Sequence, residues 1–216
     1  QGLVPVLKKQ AWDGVLVVGD VTSTVGATIA AVLQDIPVIH VEAGLRSFNW
    51  KMPEEINRVF VDRHASYLFA TEPMAVEYLR SECVAPERIF EVGNVMVDTM
   101  HLMRPKIDAS NILAHLHLEP RKYGVATLHR AELFQEERTF SEVWSALEEG
   151  ARSLPLIAPL HPRTKEELEK RGIVNDSIRI IDALGYVDMQ RLIKDSAGVW
   201  TDSGGLQEET TVYGVP

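Results

Sequence analysis

Val15-Leu16-Val17-Val18 is apolar at every position, largely β-branched, and ends on Gly19-Asp20. Such a run predicts a short strand buried on both faces, as in a parallel sheet covered by helices. The pattern recurs along the chain. Predicted strands over 37–41, 67–70 and 88–92 alternate with predicted helices over 23–34, 53–65 and 73–82. The segment 98–118 is helical in pattern but broken by Pro105, and is the candidate linker. Alternation then restarts, with strands over 123–127, 156–160, 178–181 and 198–201 and helices over 139–152, 164–171, 189–195 and from Gly204 onward. Strand–helix alternation at this spacing predicts parallel sheets joined by right-handed crossovers. The restart predicts two Rossmann-like units, 1–97 and 98–216. The fold class expected is α/β.

In open α/β sheets the chemistry collects where strands open into loops at their carboxyl ends. Acids and arginines crowd those positions here. Gly19-Asp20 closes the first strand, and Asp20 either points into the crevice or caps the next helix. His40-Val41-Glu42-Ala43-Gly44-Leu45-Arg46 closes the second. Glu42 there is a candidate general acid or base, and Arg46 either holds phosphate oxygens or pairs with Glu42. Pro53-Glu54-Glu55 reads as helix-start chemistry, proline first and acids in the first turn. Asn57 and Arg58 follow one turn later.

His129-Arg130-Ala131-Glu132 follows the strand that opens the second unit, and His161-Pro162-Arg163-Thr164 repeats the arrangement after the next one. Thr164 is a candidate helix cap. Asp202-Ser203-Gly204-Gly205 lies between a strand and a helix, where exposed N–H groups form an anion site or simply a tight turn. Glu209 lies further into that helix, placed to accept ribose hydroxyls. Carboxylates beside such turns suggest a nucleotide-linked substrate undergoing proton transfer. Neither a Walker loop nor G-x-G-x-x-G occurs, so a dinucleotide cofactor has no support.

Net charge is −9 over 216 residues, which argues against a nucleic-acid binder. The single cysteine, Cys83, excludes an internal disulfide, and no Cys/His zinc spacing is present. No apolar run reaches the roughly 18 residues a membrane span needs. Residues 1–10 lack a signal peptide's apolar core and an initiator methionine, and 213–216 stop where a strand should begin. The chain reads as a fragment cut at both ends, of a cytoplasmic protein.

The motifs GDVTST, HVEAGLRS, MPEEINR, GNVMVD, LHRAE, HPRT and TDSGGLQEE together resemble the non-hydrolysing UDP-N-acetylglucosamine 2-epimerases, over nearly the whole chain. The resemblance implies a GT-B-like fold, with the active site in the cleft between two Rossmann-like domains. It implies reversible inversion at the sugar C2 to give UDP-N-acetylmannosamine, for polysaccharide biosynthesis, through elimination of UDP to a 2-acetamidoglucal. It assigns Asp20, Glu42 and Glu54 as acid/base carboxylates and His129 to the diphosphate and anomeric centre. Arg58 and Ser203-Gly204-Gly205 would hold phosphate oxygens and Glu209 the ribose, with Arg46, Arg130 and His161 as further contacts. No cofactor and no metal are implied. The expected partner is a UDP-sugar, without nucleic acid or membrane, and the full-length form is expected to be a homodimer.

Two departures from the family pattern stand out. Leu133 replaces the usual Asn or Ser after His-Arg-x-Glu, and the amino-terminal Gly-Thr-Arg-Pro-Glu loop is absent. The 216 residues alone are therefore expected to be inactive or a weak nucleotide binder. The alternatives are an epimerase of a UDP-diacetamido-uronic acid on the same fold, and a GT-B glycosyltransferase. A non-catalytic sensor is opposed by the intact Asp20, Glu42, Glu54 and His129.

Overall fold

The structure, a computed structural model, describes residues 2–128, 136–173 and 178–216. They divide into two compact units, Gln1–Val95 and Met96–Pro216. The first contains α1 (Val4–Leu7), β1 (Val15–Val18), α2 (Thr22–Val32), β2 (Val38–Ala43), α3 (Pro53–His64), β3 (Tyr67–Ala70), α4 (Pro73–Ser81) and β4 (Ile89–Glu91). Its strands pair in the order β1-β2-β3-β4, all parallel.

The second unit is entered through α5 (Val95–Asp108). It continues with α6 (Ile112–His115), β5 (Gly124–Thr127), α7 (Glu137–Ala151), β6 (Leu156–Leu160), α8 (Pro162–Lys170), β7 (Ile178–Asp182), α9 (Tyr186–Lys194), β8 (Gly198–Thr201) and α10 (Gly204–Tyr213). Its parallel sheet runs β7-β6-β5-β8. The α/β class expected from the alternation is the one observed. Among the described residues no helix is long and apolar enough to cross a membrane.

Two expectations need correction. β1 is not buried on both faces: Val17 is in the core, whereas Leu16 is 59% and Val18 48% exposed. Val15 and Val17 face the cluster that includes Ala30 and Ala31 of α2, and among the described residues β1 pairs with β2. Pro105, expected to break its helix, instead lies inside α5. Proline lacks an N–H to give to the carbonyl four residues back, yet the helix continues to Asp108, with the Ala109 N–H reaching the Pro105 carbonyl at 3.2 Å.

The strand order of the second sheet positions its chemistry. β6 and β7 extend outward from β5, and the chain then returns to place β8 on the other side of β5. The carboxyl ends of β5 and β8 thus flank a topological switch point, the usual crevice for ligands in open α/β sheets.

Candidate functional site

In the first unit the site grows from the ends of β1 and β2. Gly19 has φ +69, a left-handed conformation that favours glycine, and its N–H bonds the Val41 carbonyl at 3.0 Å. Glu42 lies at an irregularity in the β2–β3 register between Val41 and Ala43, and itself has φ +66. A non-glycine residue in that region is uncommon, and such backbone strain concentrates at functional positions. The bulge turns the Glu42 side chain toward Gly19. A Cβ on Gly19 would lie 3.3 Å from Glu42 Oε2.

Asp20 is not the cap of α2: the N-cap is Val21, with no side-chain cap bond. Its carboxylate instead pairs with Arg58 at 2.6 Å, and its carbonyl accepts from Asn57 Nδ2 at 2.7 Å. Arg58 thus holds the Asp20 carboxylate. Its Nε is buried and makes no hydrogen bond. Glu54 is exposed in the first turn of α3, one turn before Arg58 and on the same face. Glu55 turns inward, where its Oε2 accepts from the Ser47 N–H at 2.7 Å and from Ser47 Oγ at 3.0 Å.

Of the two sequence readings of Arg46, the pairing with Glu42 is replaced by contacts with two other carboxylates. Its side chain is 1% exposed. It meets Asp62 at 2.7 Å and clasps both oxygens of Glu82, at 2.7 and 2.9 Å. Burial alone works against the charge, but the Glu82 and Asp62 carboxylates outweigh it and hold the guanidinium above its ordinary range. This planar two-carboxylate fit uses arginine's fork geometry and makes Arg46 a fixture of the loop. Asp62 Oδ2 also accepts the Gly44 N–H at 3.1 Å. Gly44 has φ +82, and a Cβ there would press on the Ala75 carbonyl at 2.5 Å.

In the second unit, Thr127 and Thr201 share a 2.6 Å hydrogen bond between hydroxyls at the switch point. Ser203 follows β8 and is the N-cap of α10, its Oγ accepting from the Leu206 N–H at 3.4 Å. Gly204 and Gly205 form the first turn, whose N–H groups have no carbonyl four residues back. Glu209 is 9% exposed and accepts from Gln190 Nε2 at 2.6 Å. Burial pushes its carboxyl up, opposed by hydrogen bonds from Gln190 and Tyr186.

His161 caps α8, its Nδ1 accepting from the Arg163 N–H at 3.4 Å. Thr164, the expected cap, is buried and donates to the Leu128 carbonyl at 3.5 Å. His129, Arg130, Glu132 and Leu133 lie outside the described residues. The structure therefore brings Asp20, Asn57 and Arg58 into contact, stacks Glu42 over Gly19, and sets Ser203, Gly204, Gly205 and Glu209 on one helix. Sequence reasoning missed Asp62, Gln190 and Tyr186 as partners. The seven-residue spacing of Glu55 and Asp62, two turns on one face of α3, was the available signal for Asp62.

Residues 1–216 match the family model described as UDP-N-acetylglucosamine 2-epimerase. A UDP-N-acetylglucosamine 2-epimerase homolog of Methanococcus maripaludis is 38% identical over 218 residues, covering 98% of this chain and 60% of the relative. The UDP-2,3-diacetamido-2,3-dideoxy-D-glucuronate 2-epimerase of Pseudomonas aeruginosa is 36% identical over 214 residues, covering 98% and 59%. The crystal structure of Methanocaldococcus jannaschii UDP-GlcNAc 2-epimerase, in complex with UDP-GlcNAc and UDP, superposes with a TM-score of 0.87 at 36% identity, covering 100% of this chain and 62% of that one. This chain thus spans about three fifths of their length, and the GT-B-like class expected from its motifs holds.

Proposed function

The chain belongs to the UDP-N-acetylglucosamine 2-epimerase family, and we propose that the full-length protein interconverts UDP-N-acetylglucosamine and UDP-N-acetylmannosamine by inversion at C2. The observation that carries this reading is the pairing of carboxylates at the ends of two adjacent strands. Asp20 is held by Arg58 and Asn57, and Glu42 is turned over Gly19 by a bulge.

The sugar C2 has no adjacent ring carbonyl, so its proton is not acidic enough for direct exchange. Elimination avoids that barrier. A carboxylate takes the C2 proton, the C–H electron pair becomes the C1=C2 bond, and the C1–O bond breaks with its electrons leaving on UDP. The resulting 2-acetamidoglucal accepts a proton at C2 from the other face while a UDP oxygen adds back at C1. Asp20, Glu42 and Glu54 are the carboxylates assigned to these transfers, and general acid–base groups of this kind contribute about 10²–10⁴-fold each.

The developing charge on UDP needs N–H and cationic partners. Ser203, Gly204 and Gly205 suit that task through the first turn of α10, with His129 and Arg130 as additional contacts. Glu209 suits the ribose hydroxyls, because it is an acceptor already aligned by Gln190. Arg58 acts here through Asp20, and His161 through the start of α8.

A second reading is supported by the Pseudomonas aeruginosa relative, which is named for a diacetamido-glucuronate substrate. Both are tested by incubating full-length protein in deuterated water with each UDP-sugar and following C2 by NMR. Deuterium at C2 with the epimerised UDP-N-acetylhexosamine supports the first reading. Epimerisation of the uronate sugar alone supports the second. UDP release with transfer of sugar to an added acceptor would overturn both in favour of a glycosyltransferase.

A further inference from the structure

His40 is fully buried on β2, beneath the strand ends that carry Asp20 and Glu42. Both of its ring nitrogens are engaged. Nδ1 lies 2.7 Å from Asp62 Oδ1, and Nε2 lies 2.9 Å from the carbonyl oxygen of Gly19. A backbone carbonyl has no proton to give. The Nε2 contact is therefore a hydrogen bond only if Nε2 carries hydrogen. A neutral imidazole has one N–H, so Nδ1 would then be bare and facing a carboxylate oxygen at hydrogen-bond distance. That contact is repulsive unless one more proton lies between Nδ1 and Asp62.

The surroundings decide where that proton sits. The other oxygen of Asp62 already accepts from Arg46 at 2.7 Å and from the Gly44 N–H at 3.1 Å. With two donors already on Oδ2, Asp62 acts as an acceptor, which assigns the proton between Oδ1 and Nδ1 to the ring nitrogen. The buried set is His40, Asp62 and Arg46, with Glu82 at its rim. One more proton on the His40–Asp62 pair leaves this set electrically balanced, whereas a neutral ring with ionised Asp62 leaves it one negative charge in excess. Burying an unbalanced charge is the costlier arrangement. The other charged groups around it are Arg88, whose guanidinium reaches the Asp62 carbonyl, and the Asp20–Arg58 pair and Glu42 at the strand ends.

We propose that His40 is a permanent imidazolium that acts as a positioning residue for the acid/base carboxylates. It rests on the epimerase reading for its role, but not for its charge state. From Nε2 the cation grips the Gly19 carbonyl, and so fixes the peptide that joins Gly19 to Asp20. Asn57 fixes the next carbonyl and Arg58 the carboxylate, so Asp20 is held at three points. The same positive charge lies under the two strand ends where the site needs ionised bases.

The test uses full-length protein with ¹⁵N-labelled histidine side chains. At about pH 7.5 an ordinary histidine is mostly neutral. His40 is expected to show both nitrogens protonated there, and Asp62→Asn, which removes the counter-charge while keeping the shape, is expected to return it to a single tautomer. A single neutral tautomer in the unsubstituted protein overturns the proposal whatever the activity, and needs no variant to fold. The role is read from His40→Gln. Its kcat is expected to fall by about tenfold or more with KM for the UDP-sugar changed less than about twofold. The acid limb of its rate profile is expected to move to higher pH by about half a unit or more, because the bases lose a neighbouring cation. A rate loss with an unmoved profile would reduce His40 to scaffolding and overturn the positioning claim. Failure of the full-length protein to epimerise either UDP-sugar would sink the functional reading and leave the NMR result standing.

Discussion

Glu42 crowds the space that a side chain on residue 19 would enter: its Oε2 stands 3.3 Å from the Cβ position of Gly19. The contact couples a left-handed turn at the end of β1 to a bulge at the end of β2. Gly19→Ala is expected to lower stability by about 1–2 kcal/mol from the positive φ alone. It should also displace the carboxylate and cut turnover of the full-length protein more than tenfold. Urea titration and an epimerisation assay check the two effects separately. Full turnover in the variant would remove the Glu42 placement from the mechanism.

Glu42→Gln keeps the shape and removes the base. In the full-length protein it is expected to reduce deuterium exchange at C2 by about 10²-fold or more. UDP binding, measured by calorimetry, should change little, since the nucleotide contacts are assigned to the second unit. Exchange at the normal rate would exclude Glu42 as an acid/base group.

Arg46 offers a test of architecture instead of chemistry. Its loss removes one of the two cations that meet the fully buried Asp62 and takes away the donor that clasps both oxygens of Glu82. Arg46→Ala is expected to cost about 3–5 kcal/mol, as for other broken buried pairs. Arg46→Lys keeps charge but not the fork, and is expected to cost about 1–2 kcal/mol. Equal, small effects in urea titrations would mean that the cluster is not the anchor described.

Glu209 sets a pH dependence whose sign follows from burial. Its carboxyl is raised in the fold relative to the unfolded chain, where it titrates near about 4.3. The contribution to stability is therefore complete below that unfolded value and is lost as pH rises through the higher folded value. Glu209→Gln, which cannot ionise, is expected to match the unsubstituted chain near about pH 4 and to be the more stable of the two near about pH 7. Thermal unfolding at the two pH values checks this, and a stability difference that does not change with pH contradicts it. The same substitution is expected to weaken UDP binding by the full-length protein. A carboxylate kept at an energetic disadvantage fits a ligand contact better than a structural one.

The sequence made β2 legible as a strand and Glu42 legible as its end, because apolar alternation and loop chemistry are local signals. It could not reveal the bulge at Glu42, since a register shift depends on what β3 does opposite. Arg46 shows the same limit more sharply. Its neighbours in sequence suggested Glu42 as a partner, but the partners are Asp62 and Glu82, 16 and 36 residues away along the chain. Thr164 lost the capping role to His161 for a third reason. Thr164 is one turn too deep in α8 and is buried against the end of β5, where the Leu128 carbonyl needs its hydroxyl. By contrast Ser203 was readable as a helix start because its cap bond closes within three residues.

α3 is fastened on one side and offers contacts on the other. Asp62 and Glu55 tie it to the interior and to Ser47, while Asn57 and Arg58 reach Asp20. The helix therefore has little freedom to adjust one group without the rest. Through these contacts one helix joins the Asp20 carboxylate at the end of β1 to the Ser47 backbone in the 46–52 loop, so a substitution that shifts α3 would disturb both places at once.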